Sequence, residues 1–248
     1  MDRGWEGDIA DPAGLPADSS VMHLPEGEIH LWHIDLDEST AHETRLLSLL
    51  SQAERRAADQ FFFWSDRLRF IIRRGALRLI LSQYHEISPA DLPFRQNGRG
   101  KPQLIDSYIH FSASHSAGLA VYALGRCELG VDIERIRNIP DALTIAEAFF
   151  SSSERASLEA LPVVDQQKAF FRCWTRKEAF VKALGEGLSH PLDQFSVSVS
   201  PFASIGVIKT KKGTGWSITD LTLANDWVGA LVANYPEQRM VSRCLLLE

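Results

Sequence analysis

The sequence predicts an α+β protein built of two similar halves. Strand-like stretches such as Glu28–Ile34 and Leu119–Leu124 stand beside long helical ones, Phe61–Leu81 and Phe170–Leu184. The order strand, helices, turn, apolar strand runs once to Leu119–Leu124 and again to Val228–Ala233. That duplication puts a midline near residue 128, with an N-terminal half over 21–128 and a C-terminal half over 129–248. Residues 1–20, rich in Asp, Ala, Gly and Pro, predict a disordered lead-in.

Each element follows from its local pattern. Glu28–Ile34 alternates and predicts a first strand; Ser48–Asp59 predicts a polar helix. The helix expected over Phe61–Leu81 carries Arg67, Arg69, Arg73, Arg74 and Arg78, with Asp66 almost its only acid. It is either a solvated basic face or the partner of an anion, which arginine forks suit. Phe94–Leu104 predicts a turn-rich loop in which Gly98 and Gly100 allow close backbone approach beside Arg99 and Lys101. It is not a Walker A loop, because no Ser or Thr follows the lysine.

Ile109–Gly118 predicts a hydroxyl-rich bend around His115, before the apolar strand Leu119–Leu124. Ser114 and His115 are adjacent and would point to opposite faces of a strand, so they are not a nucleophile–base pair. Leu129–Glu134 predicts a strand ending in Asp132 and Glu134, which share a face at i and i+2. Two such acids either splay into water or share a divalent cation. Ile139–Leu161 predicts mainly helix, interrupted at Phe149-Phe150-Ser151-Ser152-Ser153-Glu154 by a helix end and a Ser cap, with Glu154 near the start of the next helix. Phe195–Val199, Trp216–Leu221 and Trp227–Ala233 predict strands, and Met240–Leu247 a strand or tail.

The helix Phe170–Leu184 carries the chemistry. Phe170, Cys173, Trp174, Lys177, Phe180, Val181 and Leu184 fall on one side, so Lys177 sits inside an apolar stripe. Such a lysine costs free energy unless its charge meets a partner. Trp174, Glu178 and Lys182 form a row along one edge, and Gly185 and Gly187 close the helix. Glu178 and Lys182 are a surface pair worth a few tenths of a kcal/mol, unless the chain supplies a cation for the glutamate and an anion for the lysines.

The bulk numbers exclude several classes. Hydrophobic content of 45% and charged content of 23% suit a soluble globular chain. No apolar run approaches a membrane span, and the acidic N-terminus has no signal core. A net charge of −6 argues against general nucleic-acid binding. Cys127, Cys173 and Cys244 are odd in number and widely spaced, which suits a reducing cytoplasm rather than a disulfide framework or zinc site.

The order of these features resembles the Sfp-type 4'-phosphopantetheinyl transferases, from about Ile29 to Trp227. Gly130-Val131-Asp132-Ile133-Glu134 is similar to the family's G-V-D-I-E, and Trp174 to Lys182 to its W-x-x-K-E-x-x-x-K. Gly100-Lys101-Pro102, Ser114-His115-Ser116, Phe149-Phe150-Ser151 with Glu154, and Gly187-Leu188-Ser189 support the match. The resemblance implies the family's α+β fold, two pseudo-two-fold halves that each pack helices on a small antiparallel sheet. It implies Mg²⁺ on Asp132, Glu134 and Glu178, with coenzyme A between the halves. It implies that Arg56, Arg69, Lys101, Ser114 and His115 hold the nucleotide and its 3'-phosphate, and that Lys177 and Lys182 face the phosphates.

The reaction so implied moves the 4'-phosphopantetheine arm to a serine of an apo carrier protein, releasing adenosine 3',5'-bisphosphate. The carriers would be acyl or peptidyl domains of peptide, polyketide or fatty-acid synthases. Glu178, directly or through water, is the expected base, with Lys177 and Lys182 as catalytic cations. Leu143, Phe149 and Phe150 are expected to meet the carrier. A two-halved chain that builds its site internally has no need to dimerise, so a monomer is expected. The alternatives are a catalytically silent coenzyme A-binding module and another Mg²⁺-dependent hydrolase or nucleotidyl transferase.

Overall fold

The computed structural model describes residues 21–187, 190–200, 205–209, 215–224, 226–235 and 239–247. The expected lead-in of residues 1–20, and Leu188 and Ser189 of the last supporting match, lie outside the described residues. Ten strands and six α-helices are described: β1 (Glu28–Asp35), α1 (Glu43–Leu49), α2 (Gln52–Ala58), α3 (Trp64–Ser82), β2 (Phe94–Gln96), β3 (Pro102–Leu104), β4 (His110–Ser116), β5 (Leu119–Gly125), β6 (Leu129–Arg135), α4 (Ala142–Phe149), α5 (Ser152–Glu159), α6 (Val163–Leu184), β7 (Ile205–Lys209), β8 (Gly215–Asp220), β9 (Trp227–Ala233) and β10 (Arg239–Cys244).

They build an α+β protein with two four-stranded sheets, ordered β10-β1-β5-β4 and β6-β9-β8-β7, and a small β2–β3 hairpin. Alternation along each inner strand explains the layering. In β1, Trp32 and Ile34 join the core under α3, while Ile29 and Leu31 join a second core between the sheets. In β5, Tyr122 faces α3, and Val121 and Ala123 face Leu129, Val131 and Leu231 of the other sheet. Phe170, Cys173, Ala179, Phe180 and Ala183 of α6 close the outer face of the second sheet over Ala230 and Val232.

The duplication extends to the caps. Ser51 starts α2 with a capping box to Glu54, and Ser151 starts α5 with the same box to Glu154. Each glutamate then reaches a buried cation on the long helix that follows, Arg78 of α3 at 2.7 Å and Lys177 of α6 at 2.8 Å.

Several expectations are corrected. The helix expected over Ser48–Asp59 breaks where Leu50 turns extended and Ser51 caps a new start. The helix expected from Phe61 begins at Trp64, leaving Phe62 93% exposed. The bend expected around His115 is the strand β4, fully paired with β5. No strand forms at Phe195–Val199; that segment is held by side chains, with the Val197 amide donating to Glu154 and Arg176 donating to the Ser198 carbonyl. β10, from the C-terminal end, pairs in parallel with β1 and so completes the first sheet, which is otherwise antiparallel.

One glycine positions the site. A Cβ on Gly130 would stand 2.1 Å from the Ala179 carbonyl oxygen and 2.4 Å from the Ala183 nitrogen. Only a glycine lets α6 lie this close to β6. Gly130→Ala is expected to cost roughly 1–3 kcal/mol, at the upper end because backbone meets backbone. An unchanged thermal midpoint would show that α6 does not seat on β6 in this way.

Candidate active site

With α6 seated on β6, Glu178 and Lys182 come over Asp132. Asp132 is buried, and its Oδ1 accepts from Lys182 Nζ and Ser114 Oγ, each at 2.7 Å. Burial raises its pKa, against the pull of Lys182 and Ser114, and Glu134 adds to the rise. The Oε2 of Glu134 accepts from Ser116 Oγ at 2.7 Å and Arg137 Nη1 at 3.0 Å. Lys182 Nζ also reaches the Val131 carbonyl at 3.1 Å and the Ala113 carbonyl at 3.4 Å, so it bridges the two halves.

Glu178 differs from both acids. It is half-buried, and among the described residues no hydrogen bond or ion pair engages its carboxylate. Desolvation raises its pKa first, then the charge of Asp132; Lys182 opposes this and Glu134 adds to it. Three carboxylates are therefore electrostatically coupled across β6 and α6, with a single lysine among them.

On the other strand face, the Nδ1 of His115 lies 3.0 Å from Arg73 Nη1. Although His115 keeps some exposure, crowding around its ring first, then the charges of Arg73, Lys182 and Arg69, lower its pKa to about 4. The imidazole is therefore neutral at pH 7. A guanidinium only donates, so the ring nitrogen facing Arg73 carries a lone pair. The sequence left Arg73 among five arginines; the signal was its place one turn beyond Arg69 on the same helix face. The other arginines have carboxylates: Arg67 on Glu43, Arg69 on Asp37, and Arg74 and Arg78 on Glu54.

The structure brings together Asp132, Glu134, Glu178, Lys182, Ser114 and His115, with Arg69 near enough to act on His115 by charge. Ser114 turns its hydroxyl to Asp132 rather than outward. Three expected residues do not join. Lys101 gives its amine to the Leu129 and Ala183 carbonyls at 3.1 and 3.3 Å, where it ties the β2–β3 hairpin to the end of α6. Arg56 is exposed on α2.

Lys177 is a correction. Its amine is fully buried, paired with Glu154 and donating to the Leu192 and Phe195 carbonyls at 2.7 and 2.8 Å. The partner its charge demanded is a glutamate inside the fold, not a phosphate in the cleft.

Among the described residues, no three His, Cys, Asp or Glu side chains form a ready-made metal cage. The donor set nonetheless fits Mg²⁺, which takes one or two carboxylates and completes its shell with phosphate oxygens and water. Among the described residues, Asp132 Oδ2, Glu134 Oε1 and both oxygens of Glu178 have no hydrogen-bond partner. An open cavity of about 640 Å³ reaches Glu134 alone of the three acids, and is lined besides by Ser116, Ala117, Arg135, Ile136 and Arg137. A cavity of about 780 Å³ between α5, α6 and residues 197–200 contains none of the three acids.

Known proteins resemble this chain over most of its length. The family model described as the 4'-phosphopantetheinyl transferase superfamily matches residues 128–232. The chain is 35% identical over 222 residues to the 4'-phosphopantetheinyl transferase HetI of Nostoc, covering 88% of this chain and 92% of the relative. It is 31% identical to the 4'-phosphopantetheinyl transferase Sfp of Bacillus subtilis, over 71% of this chain and 78% of that one. Among solved structures, the holo-[acyl-carrier-protein] synthase of Thermotoga maritima matches 46% of this chain and 64% of its own, at 20% identity. Its TM-score of 0.29 carries no argument.

Proposed function

This chain belongs to the 4'-phosphopantetheinyl transferase superfamily, and we propose a Mg²⁺-dependent mechanism with Glu178 as base for its transfer of phosphopantetheine from coenzyme A to carrier proteins. The observation that carries this reading is the Glu178 carboxylate, which has no hydrogen-bond or ion-pair partner among the described residues and lies close enough to the Asp132–Lys182 pair to feel both charges.

The carrier serine Oγ forms a bond to the β-phosphorus of coenzyme A, and the bond from that phosphorus to the oxygen of adenosine 3',5'-bisphosphate breaks. Glu178 takes the serine proton, directly or through water. Lys182 meets the charge that grows on the phosphoryl oxygens. Arg69, Arg73 and the neutral His115 offer donors to the nucleotide's own phosphates. Asp132, Glu134 and Glu178 would hold Mg²⁺, which supplies charge neutralisation at the pyrophosphate. Lys177 takes no part in these steps.

The proposed carriers are serine-bearing domains of peptide, polyketide or fatty-acid synthases, met by a monomer in the cytoplasm. All three cysteines are free, and among the described residues no helix is long and apolar enough to cross a membrane. Carrier domains are acidic as a class and this chain carries −6, so contact rests on a local apolar patch. Leu143 and Phe149, each 43% exposed on α4, fit that role, and the Phe149 ring stands edge-on to Trp174 at 5.7 Å, one turn from Glu178. Phe150 does not fit; it is buried and stacked on Phe170. Phe149→Asp is expected to raise the carrier KM about tenfold while coenzyme A affinity holds, by loss of a partly buried aromatic contact. An unchanged carrier KM would remove α4 from the interface.

The test is intact-mass spectrometry of an apo carrier incubated with the protein, coenzyme A and Mg²⁺. A gain of one phosphopantetheine, lost when Mg²⁺ is chelated, supports the reading. Coenzyme A binding without transfer to any of several carriers would favour a silent binding module instead.

A further inference from the structure

The two sheets meet beside the site through strands that are both edges: β4 ends one sheet and β6 ends the other. Edge strands present unpaired amides, yet these two do not pair backbone to backbone. Three amides of β6 instead meet serines of β4. Val131 N donates to Ser112 Oγ at 3.1 Å, Ile133 N to Ser114 Oγ at 3.3 Å, and Arg135 N to Ser116 Oγ at 3.1 Å. A hydroxyl has one proton to give. Ser114 gives it to Asp132 and Ser116 to Glu134, both at 2.7 Å. Ser112 has no carboxylate partner, only the amide.

From this rail we propose that Ser114 and Ser116 are positioning residues that orient the Asp132 and Glu134 carboxylates for a divalent cation. The inference rests on the Mg²⁺ reading above. Each hydroxyl is oriented by a β6 amide and holds one carboxylate oxygen, which leaves the second oxygen of that carboxylate unengaged. The serines belong to the first half and the carboxylates to the second, so the seating of β4 on β6 adds to the hold that Lys182 has on Asp132 and Arg137 on Glu134. His115 lies between the two serines on the same strand, next to Arg73. Cation binding and nucleotide binding are thus set by one strand.

Ser112 is the internal control, since it satisfies the same kind of edge amide without touching an acid. The experiment compares Ser116→Ala, Ser116→Thr and Ser112→Ala with the wild-type protein. Bound Mn²⁺ is read by its paramagnetic resonance in the presence of coenzyme A, alongside the Mg²⁺ dependence of transfer. Ser116→Ala is expected to weaken Mn²⁺ and raise the half-saturating Mg²⁺ concentration by about tenfold or more, whereas Ser112→Ala shifts both by less than about twofold. Ser116→Thr keeps the hydroxyl and is expected to restore cation affinity. Equal shifts in Ser116→Ala and Ser112→Ala, or no shift in either, would overturn the proposal and leave the rail as a structural seam. A wild-type protein that neither binds Mn²⁺ nor needs Mg²⁺ would instead overturn the metal reading itself, and this inference with it.

Discussion

Glu178→Gln is expected to lower the transfer rate by on the order of 10²–10⁴, the usual contribution of a general base, and at the same time to raise stability at neutral pH. Both effects have one cause. Desolvation and the charges of Asp132 and Glu134 disfavour ionised Glu178 in the folded state. A carboxyl whose folded pKa lies above its unfolded value binds more protons when folded. Folding stability therefore falls as pH rises through the window between the two values, and the full penalty stands above the folded pKa. Gln carries no charge and escapes that penalty. The gain should shrink as pH falls and vanish below about 4.5, where Glu178 is protonated in both states. Thermal melts from pH 4 to 8 in metal-free buffer, paired with intact-mass assays at pH 7, read both effects. A mutant that is inactive and also less stable at pH 7 would mean that Glu178 is a structural group, and the base would have to be sought elsewhere.

Lys177→Met is expected to destabilise rather than to impair chemistry directly. Its amine and the Glu154 carboxylate are both buried, and removing one member of such a pair costs roughly 3–5 kcal/mol because the other charge is left without its counter-ion. For a chain of this size that lowers the thermal midpoint by roughly 10 °C. The loss would spread, because Glu154 also caps α5 and accepts the Val197 amide, while Lys177 also holds the Leu192 and Phe195 carbonyls. The first half supports this reading. Glu54 caps α2 and pairs with buried Arg78 at the corresponding place, and none of the three coupled acids is near it in the chain. Both pairs are thus joints of the duplicated fold. Well below the midpoint, Lys177→Met should still bind coenzyme A. A stable mutant that has lost coenzyme A binding would return the lysine to the cleft.

Much of this was legible in the residues. Helical period marked α3 and α6, alternation marked β1, and the serines ahead of Glu154 marked a cap, which the structure places at Ser151. The i, i+2 spacing of Asp132 and Glu134 put both on one face, and each meets a serine of β4. Boundaries failed where a side chain competed with the backbone. Ser51 ended a helix that polarity alone would have continued, and Glu154 and Arg176 hold residues 195–199 out of any sheet. The serine rail was read as a bend because hydroxyls favour turns, and only a facing edge strand makes them an extended seam.

The two lysines of α6 show where sequence stops. By itself the sequence determined that an apolar stripe, a glutamate and two lysines share one helix, and that an acidic strand lies upstream. Lys177 and Lys182 are five residues apart, about 140° around the helix, and both were expected to meet phosphate. Tertiary structure decided otherwise. Glu154, 23 positions back, draws Lys177 into the core, and Asp132, 50 positions back, holds Lys182 at the cleft. A charge is placed by the counter-charge that folding brings to it, and neither distance is written in the local pattern.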